Sequence, residues 1–283
     1  MENVIVSIPE EFEKVKERIY SGGYSNLQVV ADFDRTLTKA YVDGEKVPSL
    51  ISLLRKNNYL GEEYSEKAKE LFERFHPVEV SEEYSLEEKK NYMHQWWGEH
   101  YDYLKGLLDK KTLDKLVEDG DFEFRDGALD FMDYLNGFRV PMVILSSSGI
   151  GNVIEKFLEK RGRNYDNIYV VSNFVEFGED GYMTGIKGGI IHPFNKGEVA
   201  LEDFPKAYGA VQGRKNVLLL GDSVGDKDMA EGFEYENILK FGFLNDNVDA
   251  SLEKYKENFD VVLTYDASMS YVNDFLRGFD SVS

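Results

Sequence analysis

Apolar positions along the chain follow two rhythms, and the switch between them marks the elements. Phe12, Val15 and Ile19 recur at helical spacing, which predicts an opening helix over residues 10–21. LQVVADFD (27–34) is instead a short apolar run that stops abruptly in acids. Such a run predicts a buried strand that delivers polar side chains at its C-terminal edge. From about 45 to 122 the chain is acidic, aromatic and helically patterned, with helices expected near 49–57, 64–75, 86–107 and 110–118. RDGALDFMDYLNGF continues as a helix, and runs of Val, Ile and Leu then return at 139–148, 167–173, 216–223, 237–244 and 260–266. Helical segments at 150–161, 196–210, 247–257 and 267–278 separate several of them. Strands alternating with helices predict an α/β fold, a mostly parallel sheet with helices on both faces. In such sheets ligands bind beyond the carboxyl ends of the strands, so the polar residues that end apolar runs carry the chemistry.

Composition narrows the field without naming a reaction. A length of 283 residues suits one core carrying an insertion, and 42% hydrophobic residues suffice to bury it. The balance of 33 basic against 53 acidic residues gives −20, a charge that repels phosphate polymers and argues against a nucleic-acid partner. A small anion is still admissible, because a metal and a few local donors reverse the sign inside one pocket. The absence of cysteine excludes disulfides, thiolate metal sites and a cysteine nucleophile. The N-terminus turns acidic and amphipathic too early for a signal peptide, and no apolar run is long enough to span a bilayer. A soluble, cytoplasmic monomer with no membrane partner is expected.

Three strand ends stand out. In Asp32-Phe33-Asp34-Arg35-Thr36, two carboxylates at i and i+2 lie where a strand becomes a loop. Asp32 can attack phosphorus, and Asp34 can protonate the leaving oxygen and later activate water. A turn-forming Asp pair is the plain alternative. Ser146-Ser147-Ser148-Gly149 offers hydroxyls and N–H groups at a helix start, either as a phosphate seat or as simple capping of the 150–161 helix. Gly221-Asp222-Ser223-Val224-Gly225-Asp226 places acids on a strand-end loop, which suits a hard cation or a capped turn. Between them, Lys196 begins a helix after IIHPFN and can balance phosphate charge.

The order of these pieces, Asp-x-Asp-x-Thr, then Ser, then Lys, then Gly-Asp-x-x-x-Asp, resembles the haloacid-dehalogenase-like phosphatases. ADFDRTLT, VPMVILSSSGIGNVIEKF, VVSNF, IIHPFNKGEVA, LLLGDSVGDKDMAEG and ILKFGFLND look like the class III cytosolic, or pyrimidine, 5′-nucleotidases. That resemblance implies a Rossmann-like core of residues 1–44 and 125–283, with a helical cap of residues 45–124 between the first and second motifs. It implies Mg²⁺ as cofactor, held by Asp32, by the main-chain carbonyl of Asp34 and by Asp222, with Asp226 supporting the loop. It makes Asp32 the nucleophile and Asp34 the general acid/base. Ser147 aligns with the family's phosphate-binding serine; Ser148 replaces its alanine, so either hydroxyl is a candidate, and Lys196 neutralises the phosphoryl oxygens.

In the cap, the resemblance assigns base contacts to Glu79 and Trp97. Met93, Trp97, His100 and Leu104 share a helix face by spacing, a pattern that packing against the core would also produce. Trp97 and His100 stand where the pyrimidine-selective pattern has Tyr and Ser, and a wide indole beside a carboxylate suits a cationic base. The expected activity is hydrolysis of a nucleoside 5′-monophosphate through an aspartyl-phosphate, with UMP and CMP first and 7-methyl-GMP close behind. The alternatives are a phosphatase for a small metabolite and a non-catalytic nucleotide-binding protein. Transfer of the phosphoryl group to a nucleoside is compatible with the same residues.

Overall fold

The computed structural model describes residues 3–119, 122–199 and 201–281. The chain opens with strand β1 (Val4–Val6), helix α1 (Pro9–Gly22) and strand β2 (Leu27–Ala31). A short hairpin, β3 (Tyr41–Val42) and β4 (Glu45–Lys46), leads into four helices: α2 (Leu50–Lys56), α3 (Glu62–Val80), α4 (Leu86–Leu104) and α5 (Lys110–Asp119). Helix α6 (Ala128–Gly137), β5 (Met142–Ser146), α7 (Gly151–Lys160) and β6 (Ile168–Ser172) follow. A second hairpin, β7 (Phe174–Phe177) and β8 (Met183–Lys187), precedes α8 (Pro205–Val211) and β9 (Asn216–Gly221). The chain then runs through β10 (Asn237–Leu244), α9 (Val248–Lys256), β11 (Val261–Thr264) and α10 (Ser270–Arg277).

Seven strands form one sheet in the order β1-β11-β10-β9-β2-β5-β6. All neighbours are parallel except β1, which runs antiparallel along the edge of β11. Strands β9, β2 and β5, neighbours in the sheet, are buried along their whole length, which is why they read as mostly apolar runs; their buried polar side chains Gln28 and Asn216 donate to backbone carbonyls. Period-two alternation sends their side chains into two separate cores. Val29, Ile144 and Leu218 enter one, and Val30, Val143 and Leu219 enter the other.

The sheet thus puts the ends of β9, β2 and β5 side by side, and these are the three strands that carry the sequence motifs. Asp32 N–H donates to Leu220 O at 2.9 Å, so the ladder holds up to the first acid. Helices α2 and α4 reach the same edge, while α5 packs on α7. Tyr101 on α4 donates its hydroxyl to Gly149 O at 3.1 Å, on the loop that follows β5. Leu71, Phe75 and Met93 form a small core between α3 and α4, and Phe194 packs on it from the loop before Lys196. No helix among the described residues is long and apolar enough to cross a membrane.

Two sequence expectations change. The helix read over 196–210 is broken: Lys196–Glu198 and Leu201–Asp203 are short 3₁₀ turns, and α8 starts only at Pro205. Proline lacks the N–H that would continue a preceding helix and restricts the residue before it, so it starts one instead. Strand β1 and the two hairpins were not anticipated. The β3–β4 turn is Asp43-Gly44, both with positive φ, the two-residue turn that Asp-Gly favours.

Candidate active site

The acids converge. Carboxylate oxygens of Asp32, Asp222 and Asp226 lie within 4.8 Å of one another. The loops that carry them leave adjacent strands, so the sheet itself sets this spacing. Hard oxygen donors at that separation fit a small divalent cation, and Asp32 and Asp222 could hold one. Asp226 is turned to other work. Its Oδ2 accepts from Asp222 N–H at 3.1 Å and Ser223 N–H at 2.9 Å, which fixes the Asp222 loop. Its Oδ1 takes Lys196.

Lys196 is buried and donates from Nζ to Asp32 Oδ1 at 2.6 Å and to Asp226 Oδ1 at 2.8 Å. Burial opposes its charge, but the two carboxylates outweigh burial and raise its pKa. An ammonium has three donors, so one remains for a further oxygen.

Burial raises the Asp32 carboxyl; Lys196 opposes the rise, while Asp226 and Asp222 add to it. Asp34 is pushed up to about 7, chiefly by burial and then by the charge of Asp32. It accepts a hydrogen bond from the Leu50 backbone at the start of α2. Burial also raises Asp222, against the pull of Arg35, whose Nε is 3.2 Å from Asp222 Oδ2. Three acids with raised pKa values in one site are the chemistry that proton transfer near neutrality requires.

Arg35 has φ of 58°, a left-handed conformation uncommon for a side chain of this size. Three hydrogen bonds hold it there. Its N–H donates to Thr38 Oγ1 at 2.8 Å, and its carbonyl accepts from Arg125 Nη2 and from Asn245 Nδ2 at 3.0 Å. Arg125 is wholly buried and also donates from Nε to Thr36 O at 2.7 Å, so it ties down the whole turn after Asp34. Sequence reading missed Arg125 because its only local signal is a helix start.

Ser147 is half-buried just after β5, and the Ser148 hydroxyl is buried with no hydrogen-bond partner among the described residues. Trp97 covers the next residue: a Cβ on Gly149 would lie 2.5 Å from the indole. Glu79 sits half-buried in the last turn of α3, and burial raises its pKa while His76, Arg35 and Lys89 pull the other way. His100 is buried, with Nε2 3.1 Å from the Tyr64 hydroxyl and its ring stacked beside Trp97. Burial lowers its pKa to about 4, so it is neutral. The packing explanation of this helix face accounts for Met93, His100 and Leu104, all buried; Trp97 alone of the four is half-exposed.

Asn173, another residue the motifs did not single out, joins two loops of the site. Its side chain bonds both backbone groups of Ile191, at 2.7 and 2.8 Å, on the loop leading to Lys196. Its carbonyl accepts from Gly151 N–H at 2.7 Å, just after the serine loop.

Residues 35–279 match the family model described as pyrimidine 5′-nucleotidase (UMPH-1). The chain belongs to that family. It is 35% identical over 271 residues to 7-methylguanosine phosphate-specific 5′-nucleotidase A of Xenopus laevis, covering 95% of this chain and 93% of that one. The Homo sapiens 7-methylguanosine phosphate-specific 5′-nucleotidase is 33% identical over 276 residues, covering 97% and 91%. Among solved structures, cytosolic 5′-nucleotidase IIIB bound to cytidine superposes with a TM-score of 0.91 at 30% identity, over 99% of this chain and 95% of that one. A substrate-bound phosphoserine phosphatase shares the fold alone, with a TM-score of 0.53 at 20% identity, over 88% and 97%. This pyrimidine 5′-nucleotidase family member is a phosphomonoesterase, and nucleotide monophosphate hydrolysis is its reaction class.

Proposed function

We propose that the chain hydrolyses nucleoside 5′-monophosphates by phosphoryl transfer to Asp32, with 7-methyl-GMP the favoured substrate and UMP and CMP the second reading. The observation that carries the mechanism is the single cluster of Asp32, Asp222, Asp226 and Lys196. Asp32 attacks phosphorus, the bond from phosphorus to O5′ breaks, and protonated Asp34 gives its proton to O5′. Water then attacks the aspartyl phosphate, Asp34 takes its proton, and the bond from phosphorus to Asp32 breaks to release phosphate. A pKa near 7 lets Asp34 serve both halves. Mg²⁺, held by Asp32, Asp222 and the Asp34 carbonyl, would supply positive charge to the phosphoryl oxygens. Lys196 offers its third donor to the same oxygens, and Ser147 and Ser148 seat the phosphate.

Trp97 carries the base preference. A half-exposed indole over the phosphate loop, with the Glu79 carboxyl on the facing helix, suits a flat cationic base. His100 stiffens that indole from behind. Four helices (α2 to α5, within the insertion of residues 45–124) act as the cap that excludes water. Relatives with cytosolic names support a cytoplasmic location. The test is phosphate release from 7-methyl-GMP, UMP, CMP, GMP, phosphoserine and para-nitrophenyl phosphate with Mg²⁺. Nucleotides should lead in kcat/KM, and Asp32→Asn should lower turnover by about 10⁴-fold or more with an unchanged circular dichroism spectrum. Phosphoserine turned over as well as any nucleotide would return the enzyme to the small-metabolite class.

A further inference from the structure

Beside the reaction centre lies a cleft of about 310 Å³ lined by Arg35, Lys46, Ser52, Arg55 and Lys56. Four cations around one hollow run against the charge of the molecule, which is −20. Lys46 is neutralised by Asp246. Arg55 stacks on Phe72, 5.4 Å from the ring centroid, and neither it nor Lys56 has a carboxylate partner among the described residues. Arg35 meets Asp222 through Nε alone, and its two terminal nitrogens have no acceptor among the described residues. Two guanidinium groups and an ammonium therefore turn unspent donors into the same space. Desolvated or half-buried cations with open donors create a field that draws an anion, and the planar fork of arginine matches phosphate oxygens.

The position of the cleft is as informative as its charge. Arg35 follows Asp34 in the chain and pairs with Asp222, whose carboxylate lies within 4.8 Å of that of Asp32. Its backbone is pinned at positive φ, so the side chain has a fixed origin between the acid cluster and the cleft. A ligand with one phosphate at Asp32 could reach the cleft with another.

We propose that this cleft is a second phosphate subsite, filled by a phosphate on the ribose of the substrate or by a free phosphate anion. The substrate-borne form rests on the nucleotidase reading; the free-anion form does not.

Two measurements separate these sources. At fixed free Mg²⁺, the wild-type kcat/KM for uridine 3′,5′-bisphosphate should exceed that for UMP by about tenfold. Lys56→Glu and Arg55→Gln should each bring that ratio to one or below, with thermal melting as the check on folding. Lys56 is exposed and unpaired, so its variant carries the test should loss of the Arg55–Phe72 stack unfold the cap. In the second arm, inorganic phosphate is titrated calorimetrically into the magnesium-loaded protein. Two sites in the wild type and one in Lys56→Glu would establish the subsite with a free anion, even at a substrate ratio of one. A ratio indifferent to both substitutions, together with unchanged phosphate stoichiometry, would overturn the proposal. If no nucleotide is turned over, the nucleotidase reading fails, and the calorimetric arm still decides the cleft.

Discussion

Gly149 carries two constraints at once. Its φ is 85°, where a side chain costs about 1–2 kcal/mol, and the Trp97 indole occupies the place of a Cβ. Gly149→Ala should lower the melting temperature by about 2–6 °C and raise KM for nucleotides. Part of that loss should disappear in a Trp97→Ala background, since removing the ring removes the clash; strict additivity in the double-mutant cycle would show that no such contact exists. Trp97→Ala alone should raise KM for nucleotides about tenfold or more, the scale of a lost base–aromatic stack. Equal losses on para-nitrophenyl phosphate would make Trp97 a packing residue only. Asn173→Ala should act differently. It frees the Ile191 backbone and so loosens the approach to Lys196, lowering kcat by about tenfold with little change in KM. A KM effect with kcat intact would place Asn173 outside catalysis.

At the scale of elements, α4 is built to stay neutral inside. His100 is held by Tyr64 in a buried stack, with a pKa near 4 against an unperturbed 6.5. A folded-state pKa below the unfolded value means that the unfolded chain binds the proton first. Stability is therefore full above about pH 6.5 and falls as the pH drops toward 4. His192, lowered to about 4 by burial, should add to the same slope. The melting temperature of His100→Gln should decline less between pH 6.5 and 4.5 than that of the wild type. Parallel slopes would mean that His100 titrates normally. The elements most legible in the sequence were those with long, regular periods. β2, β5 and β9 announced themselves as apolar runs ending in polar residues, and α4 carries the Ser85–Glu88 capping box. The segment after Lys196 was misread as one helix because its apolar spacing permits a helix that Pro205 interrupts. β1 was missed because three half-buried residues on an edge strand have almost no pattern of their own.

The whole molecule sets charge against charge. Asp32, Asp34, Asp222 and Asp226 are crowded by the sheet, in a chain already at −20, and Lys196 and Arg35 pair directly with members of that cluster. Millimolar Mg²⁺ should raise the melting temperature by several degrees through binding to the folded state, and EDTA should reverse both this gain and turnover. In Asp222→Asn the gain should shrink sharply; an unchanged shift would move the cation elsewhere. Sodium chloride raised from 10 to 150 mM should also stabilise the wild type, by screening self-repulsion over the ~8–10 Å Debye length.

The sequence by itself determined the alternation of strands and helices and which acids, serines and lysine stand at strand ends. These are local properties: a buried strand is mostly apolar along its length, and a charged residue that ends it must face water, a partner or a ligand. Only the tertiary structure decided that Lys196 joins Asp32 to Asp226, that Trp97 lies on Gly149, and that Arg35, Arg55 and Lys56 share one cleft. Those contacts depend on which strands become neighbours and how four helices settle over their ends. That choice is made by the packing of two whole cores, and no stretch of residues carries it alone.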